Sequence, residues 1–382
     1  MENYDLERIK SVIQRAQSGQ ELTIGFLGGS ITQGSLATEH ENTYAYRVYK
    51  WWCDTFPQAK FNYVNGGIGG TDSYYGVSRA VTDVLMYQPD FVVVDFSVND
   101  VDNIYCEETF EGVLRKLLCW SSRPAVLNNV FYDTGVSTQD IHNRLADHYG
   151  VPHVSVHDTI YRRMKAGEYN RIDITPDGLH PNDKGHGLVA DEITKFLESI
   201  VGDLIQSENL SDDSKTDTVD IGADIERNIQ DESVCSCVLP TLVTANAYEG
   251  ARRLTIREVS PKLSGFRADT NEKMGHLDHF KNGWIGTNAG DKISFELEGS
   301  CIGIQYRKTI SRPAVRAQAV LDGDVEHPVL LDGNFDEDWG DCLHIEPVLH
   351  HSEKKKHTLE ITVLDDESVG TTPFYLMSII VA

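Results

Sequence analysis

The sequence has few basic residues for its size. Of its 382 residues, 34 are lysine or arginine and 59 are aspartate or glutamate, so the formal net charge is −25. A surface this acidic repels phosphate backbones and anionic headgroups, so nucleic acids and membranes are not expected as partners. A neutral substrate is not repelled in this way.

Long apolar runs are also missing. No stretch is long and apolar enough to span a bilayer, and the first residues lack the basic and then apolar pattern of a signal peptide. The seven cysteines are odd in number and scattered, which favours reduced thiols. We therefore expect a cytoplasmic protein, and we interpret Cys235 and Cys237 as buried or strand thiols rather than metal ligands.

The order of strand and helix patterns predicts two domains joined by a linker. In residues 1–205, apolar strands such as Leu22–Leu27 and Phe91–Phe96 alternate with helical patterns, as in a parallel sheet covered by helices. Residues 206–240 are acidic and polar and are interpreted as a linker or crossing segment. In residues 241–382, short strands between turns predict an all-β sandwich, with jelly-roll topology favoured.

Further elements follow from the same patterns. In the first half, we predict strands at Phe61–Val64, Ala125–Val130 and His153–Val156, and helices at Asn42–Phe56, Ser73–Tyr87, Thr109–Trp120, Gln139–Tyr149 and Lys184–Ile200. In the second half, we predict strands at Asp291–Leu297, Cys301–Tyr306, Val315–Leu321, His357–Val363 and Phe374–Val381.

Small and polar residues follow three predicted strands, where a parallel sheet places its ligands. Gly28-Gly29-Ser30 follows the first strand, and its glycines allow a sharp turn that leaves the serine at the strand end. The segment from Asn65 to Thr71, N-G-G-I-G-G-T, follows the second, and Asn99 follows FVVVDF. Each motif alone is common in unrelated loops, but their order at successive strand ends indicates an active site.

A D-x-x-H motif supplies a base for the serine. Asp177 and His180 are three residues apart on a predicted tight turn, so the carboxylate can bind Nδ1 and leave Nε2 to take a proton from Ser30. A lone D-x-x-H is more commonly a surface turn. Asp100, which follows Asn99, and His186, six residues after His180, are interpreted as structural. No G-x-S-x-G elbow occurs in the chain, which excludes an α/β-hydrolase.

These motifs together resemble the SGNH, or GDSL-type, hydrolases. The family's four blocks match Ser30, Gly70, Asn99 and His180, with Asp177 as the triad acid. The resemblance implies a flavodoxin-like three-layer α/β/α domain in which Ser30, His180 and Asp177 are catalytic. It also implies an oxyanion hole formed by the N–H groups of Ser30 and Gly70 and the Asn99 side chain. This chemistry requires no metal or cofactor.

The resemblance covers about residues 20–202 and departs from the family at one position. The first block is usually G-D-S, whereas Gly29 stands at the Asp position here. Many carbohydrate-active members are similar to this chain in reading G-G-S-I-T, so the departure disfavours a lipase. In the second block, aligning N-G-G-I-G-G with the family pattern N-x-x-x-x-G selects Gly70 rather than Gly69.

Two tryptophans in the second half suggest sugar binding. Trp284 and Trp339 lie in polar, glycine-containing segments, where an exposed indole can stack on a sugar face. The alternative is that each fills the interface between the domains. The aspartates near Trp339 do not have EF-hand spacing and are interpreted as a solvated turn rather than a Ca²⁺ site: Asp332, Asp336, Asp338 and Asp341.

An SGNH domain followed by a β-sandwich resembles the two-domain carbohydrate acetylesterases of gut bacteria that act on β-mannan and manno-oligosaccharides. We therefore expect a carbohydrate O-acetylesterase whose partner is an acetylated oligosaccharide, with mannan favoured and xylan as the second substrate. One alternative is a hydrolase of small esters, thioesters or lipids, but the sequence lacks an extended apolar acyl channel. The other is a carbohydrate-binding protein with a decayed catalytic half, which the intact motif set disfavours. The oligomeric state is left open.

Overall fold

The computed structural model describes residues 5–131, 138–212, 238–365 and 372–382, with side chains to residue 207 in the second range. The first half of the chain forms a parallel sheet with helices, and the second forms two antiparallel sheets. The prediction of a parallel α/β half followed by an all-β half is thereby confirmed, and the jelly-roll topology stays a prediction. Cys235, Cys237 and most of the predicted linker lie outside the described residues. Within the described ranges, no helix combines the length and apolar character needed to cross a membrane.

The central sheet consists of five strands, β1 (Glu21–Gly28), β2 (Lys60–Gly67), β3 (Phe91–Asp95), β4 (Ala125–Val130) and β5 (His153–Ser155). All neighbouring pairs are parallel, and the spatial order is β2-β1-β3-β4-β5. This is the flavodoxin-like order, in which ligands bind where the order reverses, between β1 and β3. The sheet therefore places its ligand site at the carboxyl ends of β1 and its neighbours.

Helices cover the sheet on both faces. The α-helices of the described residues are α1 (Glu7–Gln17), α2 (Ser30–Gln33), α3 (Tyr44–Thr55), α4 (Ser73–Asp83), α5 (Cys106–Leu118), α6 (Gln139–His148), α7 (Arg162–Lys165) and α8 (Asp183–Asp212). Helices α1, α3 and α8 share one buried cluster with Ile24, Phe26 and Val93. Helices α4, α5 and α6 share another with Val92 and Val94. Because side chains alternate along a strand, the two clusters lie on opposite faces and give three layers.

Several single turns connect these elements. Three of them, His40–Asn42, Leu85–Tyr87 and Arg171–Asp173, are 3₁₀ turns. The fourth, His157–Tyr161, is a π turn.

The second half contains eleven described strands in two antiparallel sheets. They are β6 (Arg252–Leu254), β7 (Lys262–Ser264), β8 (Arg267–Ala268), β9 (Trp284–Gly286), β10 (Lys292–Gly299), β11 (Ile302–Lys308), β12 (Arg316–Leu321), β13 (Val329–Asp332), β14 (Cys342–Leu349), β15 (Lys355–Val363) and β16 (Phe374–Val381). One sheet has the order β13-β12-β15-β10-β7, and the other has β14-β11-β16-β9-β8 with β6 paired to β16. Ile293 and Phe295 of the first sheet share a core with Ile304 and Ile379 of the second.

Strand β16 joins the two halves of the molecule. All eight of its residues are buried: Leu376 and Ile379 face the sandwich core, whereas Tyr375 and Ile380 pack in the cluster of α4 and α5. At the same boundary, Lys116 Nζ donates to the carbonyls of Val77 and Ala251, each at 2.7 Å. Burial lowers the pKa of Lys116 to about 8. One of the three apolar clusters therefore contains residues from both halves.

The structure differs from the predictions mainly at short or mixed elements. The last helix continues to Asp212 rather than Ile200. Three helices, α1, α2 and α7, and six strands were not predicted. Helices α2 and α7 have four residues each, and most of these strands have too few residues to display a period. Strand β14 is longer, but it contains Pro347 and charged residues. A proline fits there because β14 lies at a sheet edge.

Candidate active site

The carboxyl ends of three adjacent strands lie level with one another. Gly28 of β1 pairs with Gly67 of β2 on one side and with Asp95 of β3 on the other. The loops that leave these ends carry Ser30 and Gly70, which lie two and three residues beyond the strand ends. Parallel register alone therefore brings these sequence motifs to one edge of the sheet.

Ser30, His180 and Asp177 form a continuous hydrogen-bonded chain. The Oγ of Ser30 is 2.9 Å from Nε2 of His180, and Nδ1 of His180 is 2.7 Å from Oδ2 of Asp177. Ser30 begins α2 and is 7% exposed, whereas the His180 side chain is 23% exposed. The predicted nucleophile, base and acid are thus brought together, with the serine nearly buried and the histidine partly exposed.

Asp177 is held as an ionised acceptor. Its Oδ1 accepts hydrogen bonds from the N–H groups of Leu179 at 2.9 Å and His180 at 2.7 Å. Burial acts to raise the pKa of Asp177, but the hydrogen bonds from His180 and the two N–H groups outweigh burial, and the pKa lies below its usual range. Because a carboxylate can only accept, Nδ1 of His180 carries the proton and Nε2 faces Ser30 as an acceptor.

Residues that follow the D-x-x-H motif bond to the segment that follows Ser30. Asp183 accepts hydrogen bonds from the N–H and Oγ1 of Thr38 at 2.8 and 2.6 Å. His186 is fully buried, with Nδ1 near the N–H of Tyr44 at 3.2 Å and Nε2 near the carbonyl of Ser35 at 3.1 Å. Burial lowers the pKa of His186 to about 4. His186 is therefore neutral and structural, in agreement with its interpretation from the sequence.

Three hydrogen-bond donors near Ser30 have no acceptor among the described residues. They are the backbone N–H groups of Ser30 and Gly70 and the side-chain amide of Asn99. The N–H of Gly69, in contrast, donates to Oε1 of Gln33 at 2.6 Å. Gly70, rather than Gly69, thus offers an unpaired donor, which agrees with the alignment of the second block.

Asn99 lies directly against the turn that carries the nucleophile. A Cβ atom added at Gly29 would be 2.4 Å from the Oδ1 atom of Asn99, well inside van der Waals contact. A side chain at position 29 would therefore require the Asn99 side chain to move, and glycine is compatible with the position that Asn99 occupies here.

Asp100, the residue after Asn99, braces this loop. Its Oδ1 accepts from the N–H of Ser73 at 2.7 Å, and its Oδ2 is 2.8 Å from Nε2 of His142. Both carboxylate oxygens are therefore occupied by structural bonds, as predicted.

Trp339 contacts the turn at Gly70 from the second half of the chain. Trp339 is 56% exposed. Its ring packs edge-on against the ring of Phe335, with the ring centroids 5.0 Å apart. A Cβ atom added at Gly70 would lie 3.2 Å from the Cη2 atom of Trp339. Gly70 also has a φ of +65°, a conformation that favours glycine. An exposed indole thus lies over the turn that carries an unpaired donor.

Trp284 lies in the interior of the second half, and the prediction of a stacking role for it is wrong. The side chain is 1% exposed and belongs to the sandwich core, where its ring packs edge-on to Phe295 with centroids 5.3 Å apart. Trp284 lies on β9, paired with Leu376 of β16. Strand pairing across 92 residues of sequence places the indole inside, so it fills the sandwich rather than the boundary between the halves.

A small cavity adjoins Gly70 where the two halves meet. Its volume is about 330 Å³, at the small end of the range for ligand pockets. Gly70 and Asp72 line one side, and Gln305 and His344 of the second half line the other. Burial, together with the charge of Asp100, raises the pKa of Asp72 to about 6. Both halves of the chain therefore shape the space next to Gly70.

Three of the aspartates near Trp339 each bond to a different partner. Asp332 accepts from Asn334, Asp336 pairs with Arg312, and Asp341 accepts from Thr309.

In the described ranges, two other groups each bring three potential metal-ligand atoms within 4.8 Å of one another: Asp100, Cys106 and His142, and Glu108, His350 and His351. Hydrogen bonds already join Asp100 to His142, and Glu108 to His351 at 2.6 Å.

Sequence reasoning missed the residues that support the loops. Asn65 donates to the carbonyl of Thr32 at 2.8 Å and accepts from the N–H of Gly67 at 2.8 Å. Gln33 and the fully buried Arg79 make further bonds between the same loops. The one available signal was an arginine on the otherwise small and aromatic face of α4.

Comparison with known proteins agrees with this geometry. Residues 26–188 match the model of the GDSL-like lipase/acylhydrolase family. The crystal structure of a two-domain esterase, CEX, active on acetylated mannans and co-crystallised with mannopentaose, is 43% identical with a TM-score of 0.87, over 100% of this chain and 95% of that one. A second structure of a two-domain esterase (CEX) active on acetylated mannans is 42% identical with a TM-score of 0.87, over 100% and 96%.

A search of curated proteins gives no match. The family model covers the loops that carry Ser30, Gly70, Asn99 and His180, and the structural similarity extends through both halves of the chain. The chain therefore belongs to the GDSL-like lipase/acylhydrolase family and is a carboxylic-ester hydrolase.

Proposed function

We propose that this protein removes acetyl groups from acetylated β-mannan and manno-oligosaccharides. The observation that carries the proposal is the hydrogen-bonded chain of Ser30, His180 and Asp177, next to unpaired donors at Gly70 and Asn99. The choice of mannan rests on the similarity, over both halves, to an esterase active on acetylated mannans.

The first half-reaction forms an acetyl-enzyme. Nε2 of His180 takes the proton of Ser30 as Oγ bonds to the ester carbonyl carbon. The carbonyl oxygen becomes an oxyanion, which accepts hydrogen bonds from the N–H groups of Ser30 and Gly70 and from the amide of Asn99. When the tetrahedral species collapses, the bond to the sugar oxygen breaks, and His180 gives its proton to that oxygen.

The second half-reaction releases acetate. Nε2 of His180 takes a proton from a water molecule, whose oxygen attacks the acetyl carbon. The same three donors hold the second oxyanion. Collapse breaks the bond to Ser30, which recovers its proton from His180. Asp177 remains ionised throughout and stabilises the imidazolium formed in each step.

The surroundings of Ser30 favour a small acyl group. The serine is 7% exposed, and the Trp339 ring packs against Gly70 beside it. The sugar side of the ester has more space, because Trp339 is exposed and the cavity next to Gly70 extends between both halves. We propose that the second half acts as a carbohydrate-binding module that contributes this part of the site.

Substrate preference tests this function directly. Acetate release should be fastest from acetylated manno-oligosaccharides, slower from acetylated xylo-oligosaccharides and slowest for a long-chain ester, with a Ser30→Ala variant as the blank. Faster turnover of the long-chain ester would favour the lipid or small-ester alternative. A wild type that binds mannan but releases no acetate would favour the binding-protein alternative.

Trp339→Ala should separate sugar binding from chemistry. Loss of stacking of about 1.4 kcal/mol corresponds to about a tenfold increase in KM for acetylated manno-oligosaccharides. Kinetics with p-nitrophenyl acetate should change little, because that substrate has no sugar. Both KM values are measured under the same conditions.

Tyr87→Ala is the matched control for Trp339. Tyr87 is 53% exposed and lies before β3, at the opposite edge of the sheet. This variant should leave both substrates unaffected. An equal loss on both substrates in Trp339→Ala would show damage to the fold instead of a stacking role.

A further inference from the structure

Gln33 connects the nucleophile to the turn that precedes Gly70. It lies at the end of α2, three residues after Ser30, and its Oε1 accepts from the N–H of Gly69 at 2.6 Å. A Cβ atom added at Gly69 would be 3.2 Å from this oxygen and 3.7 Å from the Cβ of Ser30. The backbone just before Gly70 is therefore held against the helix that begins at Ser30.

Arg79 makes the corresponding connection after Gly70. Its side chain is fully buried, and Nη2 donates to the carbonyl of Gly28 at 2.8 Å and to Oγ1 of Thr71 at 3.3 Å. Nη1 donates to the carbonyl of Gly66 and to Oδ2 of Asp83, the latter at 3.0 Å. The residue that follows Gly70 is thus attached to the end of the strand that leads to Ser30.

The strand ends do not need these two side chains to stay together. The N–H of Ile68 donates to the carbonyl of Gly28 at 3.0 Å, and Asn65 already bonds Thr32 and Gly67. All of these contacts lie before Gly69. The segment from Gly69 to Thr71 forms a turn, across which Thr71 Oγ1 donates to the carbonyl of Ile68 at 2.7 Å. Gln33 and Arg79 connect the two ends of this turn to the helix and the strand on either side of Ser30.

We propose that Gln33 and Arg79 are positioning residues that set the Gly70 N–H at its distance from Ser30 Oγ. Gly70 has a φ of +65°, and glycine has wide backbone freedom, so the turn needs external restraint. Oxyanion donors act at about 2.7–3.1 Å, and a displacement of about 1 Å can cost about 10² in rate. The proposal rests on the ester hydrolysis proposed above.

Gln33→Met tests this role with little change to the helix. Methionine has similar length and helix propensity but cannot accept from the Gly69 N–H. We expect kcat for p-nitrophenyl acetate to fall by about 10- to 100-fold, below the loss of about 10²–10³ for removing a whole oxyanion donor, while KM stays constant. Affinity for an alkylboronic acid, which forms a tetrahedral adduct with Ser30, should fall by the same factor.

Two further variants complete the experiment. Gln58→Met is the matched control. Gln58 is exposed, precedes β2 and donates to the carbonyl of Gln17, so this variant should keep wild-type kinetics. Arg79→Lys keeps the charge but not the fork of donors, so it should also lower kcat and boronate affinity at constant KM. This second variant tests the other end of the turn independently of Gln33.

The outcomes distinguish the two proposals. An active wild type with an unchanged kcat and boronate affinity in Gln33→Met would overturn the positioning role alone. A raised KM with intact boronate affinity would also overturn it, because the defect would then lie in substrate binding. A wild type that neither hydrolyses the ester nor binds the boronate would overturn the proposed function as well.

Discussion

Replacing Ser30 with alanine is expected to lower kcat for p-nitrophenyl acetate by about 10⁶, the scale seen when a serine nucleophile is removed. Within the described residues, Oγ of Ser30 lies 2.9 Å from Nε2 of His180 and is the hydroxyl that this base can deprotonate, so we expect no second nucleophile to replace it. The residual rate should come from the donors at Gly70 and Asn99. Steady-state kinetics at saturating substrate measure the loss.

Ser35→Ala is the control for this substitution. Ser35 follows α2 in the same loop, but its contact with His186 uses its backbone carbonyl rather than its hydroxyl. This variant should keep wild-type activity. Both variants should unfold at the wild-type temperature, because the Ser30 hydroxyl bonds only to His180 within the described residues. A Ser30→Ala variant with substantial turnover would show that another group attacks the ester.

The sequence was sufficient for the residues that lie at strand ends. Ser30, Gly70 and Asn99 are each a few residues from a strand of clear period, so parallel register places them together. The spacing of the D-x-x-H motif was less informative. Asp324 and His327 have the same spacing and also form a pair, with Nδ1 3.0 Å from Oδ2. Only the order of the motifs along the chain distinguished Asp177 and His180.

The two tryptophans show where local sequence fails. Trp284 and Trp339 both lie among polar and glycine residues, yet one is 1% exposed and the other 56%. Their difference depends on whether the segment pairs with a distant strand, as β9 does with β16. Gln33 and Arg79 were missed for a related reason, since their partners lie in other loops. Contacts between distant segments carry no periodic signal.

The shared apolar cluster explains why the second half influences the site. Tyr375 and Ile380 of β16 pack with α4, the helix that contains Arg79. The loop with Trp339 lies over Gly70, which is bonded through Thr71 to the same arginine. The second half therefore contacts both the substrate side and the support side of one turn.

Asp177→Asn is expected to lower kcat by about 10⁴, as loss of the orienting acid does in a serine protease triad. The amide can still accept from the N–H groups of Leu179 and His180, so the turn should persist. Its NH₂ group would face Nδ1 of His180, which would favour the tautomer with the proton on Nε2. That tautomer cannot take the proton of Ser30. Measured kcat with p-nitrophenyl acetate gives the size of the loss.

Asp324→Asn provides a matched control, since it removes the carboxylate from a D-x-x-H pair that lies on the β-sandwich. It should leave kcat unchanged.

Burial acts to raise the pKa of Asp177, but the hydrogen bonds from His180 and two N–H groups outweigh burial and hold the pKa below its usual range. The wild-type carboxylate is therefore ionised across neutral pH. Changing the pH between about 6 and 8 should therefore not lower kcat by the factor of about 10⁴ expected for Asp177→Asn. If Asp177→Asn retained most of its activity, a different group would have to orient His180, and the chain from Ser30 to Asp177 would not be the catalytic unit.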